Sequence, residues 1–225
     1  MSSSYVGTYP SPSSGGGGGG GYTPDPITGL EDNSALVLHN SATLTDGKLV
    51  LAGGTQYAAL PDSTGNYDKV SGSPLVISCK FKPSGVAGSQ TIIGHHTGAS
   101  SYDGWVIQLV GVNISLFTNQ GGNSPSGGNS KTFSMTLEAG YEYALIIVIQ
   151  DSPNIITAYV NDLKISSQTP LELPSNPSVD LLLGIQIDGS TLYNPFTGSI
   201  WDVEIFQALL TDSQRKNKTS GIFVS

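Results

Sequence analysis

Hydrophobic and polar positions along the chain repeat with the period of β-strands from about Ser34 onward. Tyr143–Ile149 is a continuous apolar run, rich in β-branched residues and too short for a typical helix, and so predicts a strand covered on both faces. The turn signal Asp151-Ser-Pro-Asn154 leads to a second strand, Ile155–Val160. Asn161-Asp162, two residues that tolerate positive φ, then leads to a third, Leu163–Ser166. Three antiparallel strands in a row, the first buried on both faces, require a second layer, which predicts a two-sheet sandwich.

The same reading extends in both directions. Ala35–Leu38 leads through Asp46-Gly47 into Lys48–Ala52, and Gly53-Gly54 turns the chain into Gln56–Leu60. Leu75–Phe81, Gln90–Gly94, Gly104–Val110 and Asn113–Thr118 follow as strands. The connection 119–130 is polar and long enough to be a functional loop. Lys131–Leu137 alternates as a half-buried strand, Leu171–Ser178 crosses over, and Val179–Ile187 and Gly198–Phe206 are the last strands. Leu210–Lys216 carries the start signals of one short helix.

Residues 1–29 break the pattern: Ser, Pro and the glycine run Gly15–Gly21 cannot bury enough apolar surface to offset the entropy of ordering. They are expected to form a flexible arm ahead of one domain, 30–225. Tyr5, Val6 and Tyr9, ahead of the glycines, suit an assembly anchor with the glycines as spacer.

Only 12% of the residues are charged and the formal net charge is −8, which argues against a phosphate-binding surface and makes nucleic acid an unexpected partner. Cys79 is the single cysteine, so no intrachain disulfide is expected, and its apolar strand predicts a buried, unreactive thiol. No apolar stretch has the length of a membrane span, and the N-terminus lacks the basic and apolar regions of a secretory signal. A soluble chain is expected, and the Asn-x-Ser/Thr matches at Asn113 and Asn217 then carry little meaning.

Five pieces in this order carry a resemblance. They are Lys48–Leu60, Leu75–Pro83 with its terminal Lys-Pro, Gly104-Trp105, Tyr159-Val-Asn-Asp162, and Phe196-Thr-Gly-Ser-Ile-Trp-Asp-Val-Glu-Ile-Phe206 ahead of the helix. Together the pieces resemble the laminin G-like branch of the concanavalin A-like lectin and glucanase superfamily, over about Ser34 to Gln214. The chain departs from that pattern at Tyr141-Glu-Tyr143, where the family opens its central strand with Trp-His, and at Asp162, where the family has glycine. The resemblance implies an all-β, antiparallel two-sheet jelly-roll sandwich with a short C-terminal helix behind the Gly-rich arm.

Glucanases of this superfamily use a Glu-x-Asp-x-Glu strand, because nucleophile and acid must face the same sugar. Here Ile200 stands where the first carboxylate would be, so Asp202 and Glu204 read as a solvated strand face opposite Trp201, Val203 and Ile205. His39, His95 and His96 lack metal-ligand spacing with cysteine or with one another, and His95-His96 reads as a loop pair. No nucleophile elbow and no phosphate cradle is present. These residues argue against an enzyme.

Relatives in the superfamily bind glycans, frequently with calcium. No cofactor is expected, though Asp62, Asn66 and Asp68, with Asp188 on another loop, are the oxygen donors a calcium ion would use. Tyr102, Trp105 and Tyr193 are the candidates for stacking on sugar, with Asn119 as a hydrogen-bonding neighbour. Trp105 also shares a strand face with Ile107 and Leu109, which suits core packing.

An extracellular type of fold without a signal peptide or disulfide leads to a non-enzymatic, lectin-like virion protein. It would be displayed on a phage or other viral particle as capsid decoration, fibre or host-surface adhesin, with its arm on the capsid or tail. The alternative is a free carbohydrate-binding protein, extracellular or cytoplasmic, with a divergent glycoside hydrolase behind it. A homo-oligomer is compatible with the sequence, but no heptad pattern calls for one.

Overall fold

Alternating burial and turn-forming residues produce strands almost throughout the computed structural model, which describes residues 36–62, 65, 67–98, 103–119, 130–168, 173–174 and 176–219. In chain order the first are β1 (Val37–His39), β2 (Thr43–Thr45), β3 (Lys48–Ala52), β4 (Tyr57–Leu60), β5 (Leu75–Pro83) and β6 (Ser89–His96). Next come β7 (Gly104–Val110), β8 (Asn113–Asn119), β9 (Ser130–Phe133), β10 (Tyr143–Asp151), β11 (Asn154–Val160) and β12 (Leu163–Gln168). β13 (Leu181–Leu183), β14 (Gln186–Asp188), β15 (Thr191–Tyr193) and β16 (Thr197–Phe206) precede the helix α1 (Asp212–Thr219). The arm, with Tyr5, Val6 and Tyr9, lies outside the described residues.

The strands form two seven-stranded antiparallel sheets. The back sheet runs β12-β11-β10-β5-β16-β3-β2 and the front sheet β1-β4-β13-β6-β7-β8-β9, while β14 and β15 make a separate hairpin. The β10–β12 meander forms as its sequence predicts, with Asn161 at φ 50° and Asp162 at φ 66° in the tight turn. Leu145, Ile147 and Ile149 of β10 share one core with Ile107, Leu109, Leu116 and Phe133 of the front sheet. Each such side chain contributes about 1.5–3 kcal/mol when fully buried.

The other face of β10 is covered differently. Ile146 and Val148 pack with Val76 and Phe206, and Leu210 leans on the same group. Helix α1 follows directly. Thr211 caps it by accepting from the Gln214 N–H at 3.2 Å while Gln214 Oε1 accepts from the Thr211 N–H at 2.8 Å, a reciprocal capping box. Arg215 then lies over the Tyr159 ring and donates to Asp162 Oδ1 at 3.1 Å, fastening the helix to the meander. None of the described helices is long and apolar enough to cross a membrane.

Several local readings change in three dimensions. Gly53-Gly54 makes no hairpin: β3 lies in the back sheet and β4 in the front, so the glycines carry the chain between layers. Val179–Ile187 is broken at Gly184, whose φ of 86° ends β13 and whose position against Leu51 has no room for a Cβ. Lys131–Leu137 pairs only as far as Phe133, after which Asn113 Oδ1 takes the Met135 N–H at 3.0 Å in place of a strand partner. His95 and His96 are no loop pair: they are the last two residues of β6, paired with Trp105 and Gly104 of β7.

Candidate functional site

Front-sheet alternation sets which polar side chains face inward. Trp105 belongs to the central core, and directly paired residues share a face, so His95 points inward and His96 outward. His95 is 0% exposed. Its Nε2 lies 3.0 Å from Val179 O and 3.1 Å from Asp62 Oδ2. Both neighbours only accept at that point, so Nε2 carries the proton and donates. The opposite ring nitrogen, Nδ1, lies 3.9 Å from Asp68 Oδ1, and both atoms are buried without a hydrogen-bond partner.

This arrangement perturbs the groups in it. Burial pulls the His95 imidazole below its ordinary pKa, against the pull of Asp62 in the other direction. Asp68 is pushed up to about 6, first by burial and then by the charge of Asp62. One ligand-capable atom from each of Asp62, Asp68 and His95 lies within 4.8 Å of the other two. The loop that brings the carboxylates here is pinned from several sides. Trp105 Nε1 donates to Tyr67 O at 3.2 Å, Gln207 Nε2 to Asp68 O at 2.6 Å, and the Lys69 N–H to Asn176 Oδ1 at 2.9 Å. The Tyr67 ring meets His95 edge-on at 5.7 Å, and burial with nearby Asp62 and Asp180 pushes its phenol up to about 12.

The oxygen donors considered for calcium come together only in part. Asp62 and Asp68 converge, but Asn66 lies outside the described residues, and Asp188 lies beside Gly98 on the β14–β15 hairpin. An imidazole nitrogen in the set does not fit calcium, which takes oxygen ligands. The spacing of histidines and cysteines does not reveal His95, because its partners are carboxylates from a loop preceding β5. The Asp62-x5-Asp68 spacing was the available signal.

Of the stacking candidates, Trp105 is corrected. At 1% exposed, with its indole N–H on Tyr67 O, it is a core residue and offers no face to a sugar. Tyr102 lies outside the described residues, and Asn119 closes β8 opposite Gly104 with its side chain undescribed. Tyr193 is 43% exposed on β15. Its hairpin sits on the outer face of the front sheet: Ile187 and Leu192 pack on Ala59, Leu182 and Ile185, beside a Tyr57 ring stacked on His39. Beneath the hairpin, Gln108 Nε2 donates to Thr91 Oγ1 at 3.2 Å and to Gln186 Oε1 at 3.0 Å, and Asn194 Nδ2 reaches the same Gln186 oxygen at 3.2 Å. The Thr91 N–H donates to Asn194 O at 2.7 Å. A polar layer therefore ties the hairpin to the sheet, and Tyr193, paired with Gln186, keeps part of its ring exposed at the edge of that layer.

The strand that resembles a glucanase strand is also altered. Asp202 takes φ 47° at a bulge between Trp201 and Glu204, so simple alternation fails there. Asp202 pairs with Lys80 at 2.9 Å, Glu204 pairs with Lys218, and Lys48 lies over the Trp201 ring at 4.0 Å.

No family model and no curated protein matches the chain. Solved structures do share its fold. The binding domain of botulinum neurotoxin serotype D superposes with a TM-score of 0.61 at 15% identity, over 84% of this chain and 47% of that one. Domain 4 of AbnA, a GH43 extracellular arabinanase from Geobacillus stearothermophilus, gives 0.58 at 21% identity, over 80% of this chain and 82% of that one. A structure of botulinum neurotoxin type C gives 0.61 at 12% identity, over 84% of this chain and 47% of that one. The chain thus spans about half the length of the neurotoxin chains it matches. At these identities the likeness establishes a jelly-roll-like β-sandwich.

Proposed function

We propose that the chain is a non-enzymatic, lectin-like module that binds glycan on the outer face of the front sheet, at the β14–β15 hairpin. The observation that carries this reading is the exposed Tyr193 ring on a hairpin fixed from below by Gln108, Gln186 and Asn194. A pre-positioned aromatic face packs on sugar C–H groups with little further loss of freedom. Support comes from the company of the fold: the arabinanase domain was solved in complex with arabinotriose, and cell entry of the type C neurotoxin depends on two ganglioside molecules. The lysine pairing of Asp202 and Glu204 supports a binding role over hydrolysis. Membership of the laminin G-like branch is the finer relationship we propose, on the five sequence pieces.

Glycan screening with arabino-oligosaccharides and sialylated oligosaccharides, followed by titration of Tyr193→Ala, tests the reading. The variant is expected to lose about two- to tenfold in affinity, since an aromatic contact is worth about 0.5–1.5 kcal/mol beyond area burial. Unchanged affinity in a folded Tyr193→Ala protein would remove the hairpin from the site.

Display on a viral particle is a second reading, and its support is the sequence of residues 1–29 with the Tyr5, Val6 and Tyr9 cluster. Cosedimentation with particles, comparing the full chain with one starting at Leu30, tests it. Equal behaviour as small soluble species would sink it and leave the free glycan-binding protein.

A further inference from the structure

We propose that His95 and Asp68, with Asp62 behind the imidazole, form a site for one divalent transition-metal ion of the zinc class. The site would lie where the loop between β4 and β5 meets the end of β6.

The argument starts from the His95 proton. Val179 O and Asp62 Oδ2 both face Nε2 and both accept, so the proton is fixed there. Nδ1 is then a lone pair in a fully buried ring, 3.9 Å from Asp68 Oδ1, another buried acceptor without a partner. Two unsatisfied acceptors this close and away from water are unfavourable unless a cation or a donor stands between them.

A zinc-class ion fits the gap. With metal–nitrogen distances of about 2.0–2.1 Å and metal–oxygen distances of about 2.0–2.2 Å, two ligand atoms on one tetrahedral ion lie about 3.4 Å apart. The observed 3.9 Å is wider by about 0.5 Å, a closure that the partly exposed Asp68 side chain can make. The Nε2–H on a carboxylate and a carbonyl is the outer hydrogen bond that orients a metal-binding imidazole, and Asp62 supplies the carboxylate. Two carboxylates around a neutral imidazole balance a divalent charge. Mixed nitrogen and oxygen donors select a transition metal over calcium. The loop is already held by Trp105, Gln207 and Asn176, so little ordering is left for the ion to impose.

This inference goes beyond glycan binding, and its test uses no sugar, so the two can fail separately. The full chain, stripped with chelator, is titrated calorimetrically with ZnCl2 and, in parallel, with CaCl2, and CoCl2 is added to read visible ligand-field bands. One zinc per chain is expected, with a rise in melting temperature that calcium does not reproduce. Asp68→Asn keeps the shape of a partly exposed loop residue and is expected to weaken zinc binding by at least about tenfold. His39→Ala, on the opposite face of the front sheet, is expected to leave affinity unchanged.

His95 variants risk misfolding, so NMR of the imidazole nitrogens in the unmodified chain supplies the direct readout: zinc should shift His95 Nδ1 and leave Nε2 protonated. No binding of zinc or cobalt to the stripped chain would overturn the proposal and leave a water molecule bridging the acceptors. Zinc affinity unchanged in Asp68→Asn, or a response to calcium alone, would overturn it equally.

Discussion

Lys69 Nζ lies 3.2 Å from Asp151 Oδ2, and the two side chains are unequally placed: the lysine is 2% exposed and the aspartate 18%. The ammonium donates to Val70 O at 2.7 Å as well, and Asp151 accepts from the Gly72 N–H at 2.7 Å. The pair joins the loop after β4 to the end of β10, which lie far apart in the chain.

The pH dependence of stability should show this pair. The Gly72 N–H, and then Lys69, hold the Asp151 carboxyl below its ordinary value. A depressed folded pKa gives stability that is fully present above the unfolded value of about 3.9 and is lost as pH falls through the folded one. Melting temperature should therefore fall more steeply below about pH 4 in the native chain than in Asp151→Asn, which should already melt lower at neutral pH. Parallel curves for the two proteins would show that the contact adds nothing.

Trp105 and Tyr193 should separate stability from binding. Truncating a buried tryptophan costs about 3–5 kcal/mol, so Trp105→Ala should melt far lower, and it also strips Tyr67 O of its donor. Tyr193→Ala should stay within about 0.5 kcal/mol of the native chain, as exposed substitutions do. Chemical denaturation of both variants, set beside their sugar titrations, checks the contrast.

Gly104 is irreplaceable for a backbone reason. It has φ 108° opposite His96, and a Cβ there would overlap His95 O. Gly104→Ala should cost at least about 1–3 kcal/mol, because the obstacle is backbone that cannot rotate aside. A variant as stable as the native chain would mean that β6 and β7 can separate at no cost.

Cys79 should be silent toward thiol reagents. It is buried in β5, and burial pushes its thiol up to about 12. Ellman's reagent should find no thiol in the native chain and one per chain in denaturant. Cys79→Ser should cost about 1–3 kcal/mol by burying a hydroxyl in an apolar site.

The sequence by itself determined whatever depends on a few neighbouring residues. Tyr143–Ile149 could only be a doubly covered strand, Asn161-Asp162 could only be the tight turn after it, and Thr211-x-x-Gln214 caps a helix wherever it stands. Trp105 was legible as core from its spacing with Ile107 and Leu109, and Cys79 from its apolar strand. These outcomes follow from period-2 alternation, from backbone φ preferences and from capping, all of which are local. Tertiary structure decided the rest. Gly53-Gly54 could equally close a hairpin or cross between sheets, and only the pairing of β3 with β16 and of β4 with β13 chose the crossing. Asp202 falls at a bulge where β16 has one residue more than its partner β5, so the alternation that ties it to Glu204 in sequence does not carry through. Asp62, Asp68 and His95 meet because β13 places Val179 O beside β6 and Trp105 anchors Tyr67, relationships between segments that no short window of sequence contains.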